Sequence, residues 1–157
     1  MGLSAAQPRN RPSLAYRRIV VPLAADVESE AAMALAAELA DDRGTSITAV
    51  VAIEVPPELP LEAHMLDEER AAKRALDDAY AIGAARGLNV RARTRRARLA
   101  GEAIVAEAKA VGADLVVMNA PRKEAPGCRG RIFGKTVDHV LKHAPCRVMV
   151  AAPSSSD

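Results

Sequence analysis

The chain predicts an α/β fold, an open sheet of five parallel strands with helices on both faces. Three observations point there. From residue 19 onward, short apolar runs alternate with longer segments whose apolar residues recur at helical spacing. Strands that alternate with helices close through right-handed crossovers and give a parallel sheet covered on both sides. The runs themselves are nearly unbroken Val, Ile and Leu, the pattern of strands buried on two faces. A length of 157 residues suits one domain with a sizeable core and is short for two.

Residues 1–15 hold Pro8, Arg9, Arg11 and Pro12 without periodicity and read as a disordered lead or linker. The domain proper is expected over 16–152, with 153–157 a disordered tail. Ile19 to Leu23 is the first strand. Asp26 is placed to cap the next helix, in which Ala32, Leu35, Ala36 and Leu39 form one stripe. Gly44 follows, where a left-handed helix end is expected. Ile47 to Val55 is the second strand, and Pro56, Pro57 and Pro60 impose an extended connection. A charged helix is expected from about Glu62 to Arg86, stopped by Gly87. Val90 to Ala97 alternates Val and Ala with Arg and Thr, as a strand with one solvated face does. Ile104, Ala108 and Val111 stripe a third helix ended by Gly112. Leu115 to Met118 is the fourth strand. Val137, Val140, Leu141 and Ala144 stripe the last helix, which Pro145 ends, and Val148 to Ala152 is the fifth strand.

Composition narrows the function classes. Half the residues are apolar but only 2% are aromatic, so the core is aliphatic and rich in Ala. The formal net charge of +2 lacks the strong basic excess of a DNA or RNA binder, and two Tyr, one Phe and no Trp offer little stacking surface for single strands. No nucleic-acid partner is expected. Two cysteines, Cys128 and Cys146, are too few for a disulfide framework and fit a reducing cytoplasm. No apolar run approaches the roughly 18 to 20 residues that cross a bilayer.

The segment from Gly112 to Ala151 carries the chemistry. An apolar run leads into a basic, glycine-containing loop, then a helix near Gly134-Lys135-Thr136, then a second apolar run. A loop of free amides feeding a helix N-terminus suits an anion such as phosphate. Lys135 opposes the helix dipole there unless an anion is present. Gly130, Gly134, Lys135 and Thr136 invite a Walker A reading, but that motif needs a glycine five before Gly134, and Arg129 stands there. Arg122, Lys123, Arg129, Arg131 and Lys135 form a basic cluster that reads either as a phosphate-recognition loop or as a solvated one.

The ending Gly134, then Val140-Leu141-Lys142-His143-Ala144-Pro145-Cys146, then Val148-Met149-Val150 resembles the C-terminal signature of the universal stress protein family. The resemblance spans roughly residues 16 to 152. It implies the strand order 3-2-1-4-5, with a ligand beyond the C-terminal ends of strands 1 and 4. Three stretches, 54–61, 96–98 and 131–138, are similar to the universal stress domains fused to amino acid-polyamine-organocation permeases. The chain departs from the family pattern at several points: Asn119 replaces the first glycine of the Gly-x-x-Gly loop, a longer loop follows it, Lys135 stands where the family usually has Ser or Thr, and Ala24 replaces an Asp after strand 1, with Asp26 two residues on.

By this resemblance Pro22, Leu23 and Ala52 line an adenine base and Asn119 meets the ribose or first phosphate. Gly130, Gly134, Lys135 and Thr136 face the phosphates, and Arg129 and Arg131 close over them. The ligand expected is ATP, AMP or a cyclic nucleotide, and no metal is required. No catalytic residue is assigned. His139 and His143 stand four apart on a helix, a chelating spacing, but Pro145 breaks the helix before Cys146 and no carboxylate ligand is evident. The resulting expectation is a non-enzymatic stress-response or regulatory domain that binds an adenine-type nucleotide, cytoplasmic or at the cytoplasmic face of a membrane. It is homodimeric through the edge strand Arg147 to Ala151. The alternatives are the regulatory domain of an amino-acid permease (a membrane transporter as partner), a structural dimerisation module with an empty pocket, and a weak ATP hydrolase.

Overall fold

A computed structural model describes residues 16–24, 30–40, 44–120 and 134–151. In chain order the elements are β1 (Arg18–Leu23), α1 (Glu30–Leu39), β2 (Ser46–Glu54), α2 (Leu66–Ala85), β3 (Asn89–Ala97), α3 (Ala100–Val111), β4 (Leu115–Asn119), α4 (Gly134–His143) and β5 (Arg147–Ala151). The strands form one sheet in the order β3-β2-β1-β4-β5, and every pairing is parallel. The expected fold and strand order are both present.

Strand alternation divides the apolar side chains between two layers. Ile19, Val21, Leu23, Ile47, Ala49, Val51, Leu115 and Val117 pack with Ala32, Met33 and Ala36 of α1 and with Ala72, Leu76 and Ala79 of α2. Val20, Val50, Val116 and Met118 face the other way, onto Ile104, Val105 and Ala108 of α3 and Val137 and Val140 of α4. Alanine at so many contacts lets the helices lie close on the sheet. Gly112 ends α3 at φ 63°, and Ala113 N–H donates to Ala108 O at 2.9 Å, closing the turn. Gly87 ends α2 in the same way at φ 70°, with Leu88 N–H on Gly83 O.

The sequence expectations need four corrections. Gly44 is not left-handed: the positive-φ glycines among the described residues are Gly87, Gly112 and Gly134. The charged helix starts at Leu66 instead of Glu62, because residues 60–63 close a turn in which Ala63 N–H donates to Pro60 O. Leu141 is 45% exposed and leaves the stripe that Val137 and Val140 keep. On β3 only Val90 is buried, since the strand stands at the sheet edge with a single neighbour. Asp26, the expected cap of α1, lies outside the described residues, as do the lead 1–15 and the tail.

Long-range polar contacts fix the ends of elements. Asp114 accepts the Arg17 and Arg18 amides at 2.9 and 3.0 Å where β1 begins, and Thr45 Oγ1 donates to Tyr16 O at 2.7 Å. Gly83 sets how closely α2 meets β3, for a Cβ there would stand 2.1 Å from Val90 Cγ2. Val90 is buried and β-branched and has little rotamer freedom to yield. Gly83→Ala is therefore expected to lower stability by about 1–2 kcal/mol despite alanine's better helix propensity, as read in urea unfolding.

Candidate functional site

Parallel strands end on one side of the molecule. Here Leu23, Glu54, Ala97, Asn119 and Ala151 share that edge. From β1 the chain crosses to α1 on one layer, and from β4 it crosses to α4 on the other. Helices α1 and α4 therefore lie on opposite faces of the sheet and the strand order reverses between β1 and β4; the crevice at such a reversal is the place where open α/β sheets bind ligands.

Asn119 is the last residue of β4. Its side-chain Oδ1 accepts the Ala32 N–H at 3.1 Å, so it caps the first turn of α1 across the crevice. A glycine in that position has no side chain to make this bond. The departure from the family pattern thus ties β4 to the helix that follows β1. Pro22 is buried opposite Val50, and Ala52 is half-buried opposite Arg95. Leu23 is 4% exposed and its side chain belongs to the α1–α2 core, leaving its backbone to front the crevice. Ala24, next along, is exposed.

On the other side of the crevice α4 begins with Gly134, buried at φ 79°, a backbone that disfavours any L side chain. Lys135 is exposed and Thr136 half-buried in the same first turn, which carries no acidic residue. The site thus places the first turns of α1 and α4 on opposite sides of one crevice. Arg129, Gly130 and Arg131, with Arg122, Lys123 and Cys128 of the same loop, lie outside the described residues.

Sequence reasoning missed the groups that build the neighbouring wall. Helix α3 has no cap of its own at Leu99. Instead, Glu54 at the end of β2 accepts the Ala100 N–H at 2.8 Å. Arg98 donates to the carbonyls of Val55 at 3.2 Å and Leu59 at 2.8 Å, and also to Pro56 O. Arg96 donates to Ala63 O and pairs with Glu69. That hydrogen bond holds the Glu69 carboxyl below its ordinary value. The link is therefore complete above the usual carboxylate range and is lost as pH falls through the lowered value. Beneath this wall Arg95 of β3 reaches Glu107 of α3, which is 3% exposed. These partners lie 12 to 46 residues apart in the chain, and no local spacing announces them.

The His139 and His143 rings stack at 4.4 Å, tilted by 39°. His139 lies against Gly101 of α3, where a Cβ would come within 2.9 Å of the ring. It acts as a packing side chain between α3 and α4. Among the described residues no group of three His, Cys, Asp or Glu side chains is placed to hold a metal ion. Burial pushes the Cys146 thiol up, with the Asp114 charge adding to it, so it stays protonated at neutral pH. No helix among the described residues is long and apolar enough to cross a membrane.

The model of the universal stress protein family matches residues 15–152. No curated protein sequence matches the chain. Among solved structures, the universal stress protein from Archaeoglobus fulgidus is 24% identical at a TM-score of 0.70, over 87% of this chain and 98% of that one. The Archaeoglobus fulgidus protein in complex with dAMP is 21% identical at a TM-score of 0.68, over 87% and 98%. A family protein from Arabidopsis thaliana with AMP bound is 15% identical at a TM-score of 0.59, over 88% and 93%. At these identities the likeness establishes the fold.

Proposed function

The chain belongs to the universal stress protein family, and from that premise we propose that it is a non-enzymatic regulatory domain that binds an adenine-type nucleotide between the ends of β1 and β4. The observation that carries the reading is the pair of helix N-termini facing one crevice, with Gly134, Lys135 and Thr136 on one side and the Asn119-capped start of α1 on the other. Structures of the same fold whose ligands are AMP, dAMP and cAMP support the choice of ligand class. In this reading Pro22, Leu23 and Ala52 border the base. Asn119 turns its remaining polar atoms to the ribose. Lys135 and Thr136 meet phosphate, joined by Arg129, Gly130 and Arg131 of the preceding loop.

Calorimetric titration with ATP, AMP, cyclic AMP and cyclic di-AMP tests this. At least one is expected to bind with a dissociation constant below about 1 mM, roughly −4 kcal/mol. If none does, a structural module with an empty pocket replaces the proposal, a reading that Ala24 favours because it stands where ATP-binding relatives carry Asp. Release of phosphate from ATP over a day would instead indicate the weak hydrolase. The regulatory role extends to a cytoplasmic setting and, through the similarity at 54–61, 96–98 and 131–138, to an amino-acid permease as partner.

We further propose a homodimer through β5. That strand closes one edge of the sheet, and Val148, Met149 and Val150 are only half-buried there. Leu141, on the helix that leads into it, is exposed. Light scattering at micromolar concentration is expected to give twice the 16.5 kDa of the chain, and a monomer mass refutes the contact.

A further inference from the structure

We propose that the connection between β2 and α2 is a docking surface for a basic, amphipathic segment of a partner protein. Leu59, Leu61 and Leu66 are 41%, 38% and 62% exposed, and they lie within one short stretch of chain. Single exposed leucines are ordinary. Three so close in sequence, on a backbone held in advance, concentrate apolar surface in one connection, and such surface marks interaction sites.

The stretch is held at several points. Leu59 N–H donates to Pro56 O at 3.0 Å and Ala63 N–H to Pro60 O at 2.9 Å, closing two turns around three prolines. Arg98 gathers the carbonyls of Val55, Pro56 and Leu59, and Arg96 holds Ala63 O and Glu69. A partner binding here finds the leucines already placed and loses little conformational freedom of this chain.

Charge decides the occupant. From Glu54 to Glu69 the sequence has Glu54, Glu58, Glu62, Asp67, Glu68 and Glu69 but no Lys or Arg. Glu54 is engaged by the Ala100 amide and Glu69 by Arg96. Glu58, Glu62, Asp67 and Glu68 are exposed, and no ion pair described among these residues involves them. The excess remains negative after the Arg98 charge is counted. Asp67 and Glu68 also suit the first turn of α2, but Glu58 and Glu62 lie ahead of that helix and gain nothing from it. Leucines bordered by carboxylates complement an apolar stripe bordered by Lys and Arg. They repel anionic lipid and nucleic acid.

The test uses the full chain, isotopically labelled, titrated with a synthetic amphipathic peptide bearing leucines on one face and lysines on the other. Amide shifts are expected at residues 58–68, with affinity that falls as salt rises. Leu59→Ser with Leu66→Ser, and separately Glu58→Lys with Glu62→Lys, should each weaken binding about tenfold. The exposed Tyr80→Ser, on α2 itself, should leave it unchanged. All five positions are at the surface, and an unaltered amide spectrum elsewhere verifies the fold. A peptide with glutamates in place of lysines, vesicles of phosphatidylserine and single-stranded RNA should not bind. Absence of peptide binding, shifts on another face, insensitivity to both variant pairs, or binding of vesicles or RNA at this stretch overturns the proposal.

Discussion

Arg95→Met is expected to destabilise the protein by about 2–3 kcal/mol, whereas Glu107→Met costs about 1 kcal/mol or less, and the double substitution recovers most of the loss. The asymmetry follows from burial. The Glu107 side chain is 3% exposed and the Arg95 side chain 37%. Removing Arg95 strands a carboxylate between α3 and the sheet, with only the opened flank of Arg95 to admit water. Removing Glu107 leaves a guanidinium that already reaches solvent and can turn fully toward it. Two methionines fill the space without any charge, and a buried pair replaced by apolar groups often loses little. Urea unfolding of the three variants checks the order. Equal losses in the two single variants, or a double variant worse than either, would show that the pair does not hold α3 in this way.

Lys135→Glu is expected to weaken nucleotide binding about tenfold or more, near 1.4 kcal/mol, while making the empty protein slightly more stable. Both effects have one cause. Lys135 lies exposed in the first turn of α4, which has no acidic residue. A cation there opposes the helix dipole, and a carboxylate would favour it by a few tenths of a kcal/mol. The same carboxylate repels a phosphate seated on the α4 amides. Opposite signs for stability and affinity separate this account from a general disturbance of the fold, which would lower both. Thermal unfolding with and without AMP reads the two together, since a ligand at about 100 times its dissociation constant adds roughly 2.7 kcal/mol.

The sequence made the sheet legible because its strands are continuous aliphatic runs and its helices keep an alanine-rich stripe. Leu115 to Val117 and Val20 to Val21 are fully buried, as their lack of alternation requires. The same rules failed where the environment is set from a distance. Leu141 sits in register with Val137 yet is exposed, because nothing in the spacing reveals how wide the covered face of α4 is. Residues 62–65 have helical composition, but Pro60 and the guanidinium of Arg96 draw that chain into turns.

At the site, the placement of Gly134, Lys135 and Thr136 at a helix start was legible from the glycine and from the apolar stripe that follows. The role of Asn119 was not. Asparagine for glycine reads as a damaged loop, and only the fold brings its Oδ1 to the Ala32 amide. The caps supplied by Glu54 to α3 and by Asp114 to β1 are equally invisible, since each joins residues far apart in the chain.

The most direct test of the central claim is an amide spectrum of the full chain titrated in turn with ATP, AMP, cyclic AMP and cyclic di-AMP. The account predicts that at least one of them gives saturating shifts at Ala24, Ala32, Asn119, Gly134, Lys135 and Thr136, on both sides of the crevice between β1 and β4. The β2–α2 connection and the outer edge of β3 should stay unmoved. Absence of saturable shifts with every one of these nucleotides at millimolar concentration, or shifts confined to surfaces away from the ends of β1 and β4, would contradict it.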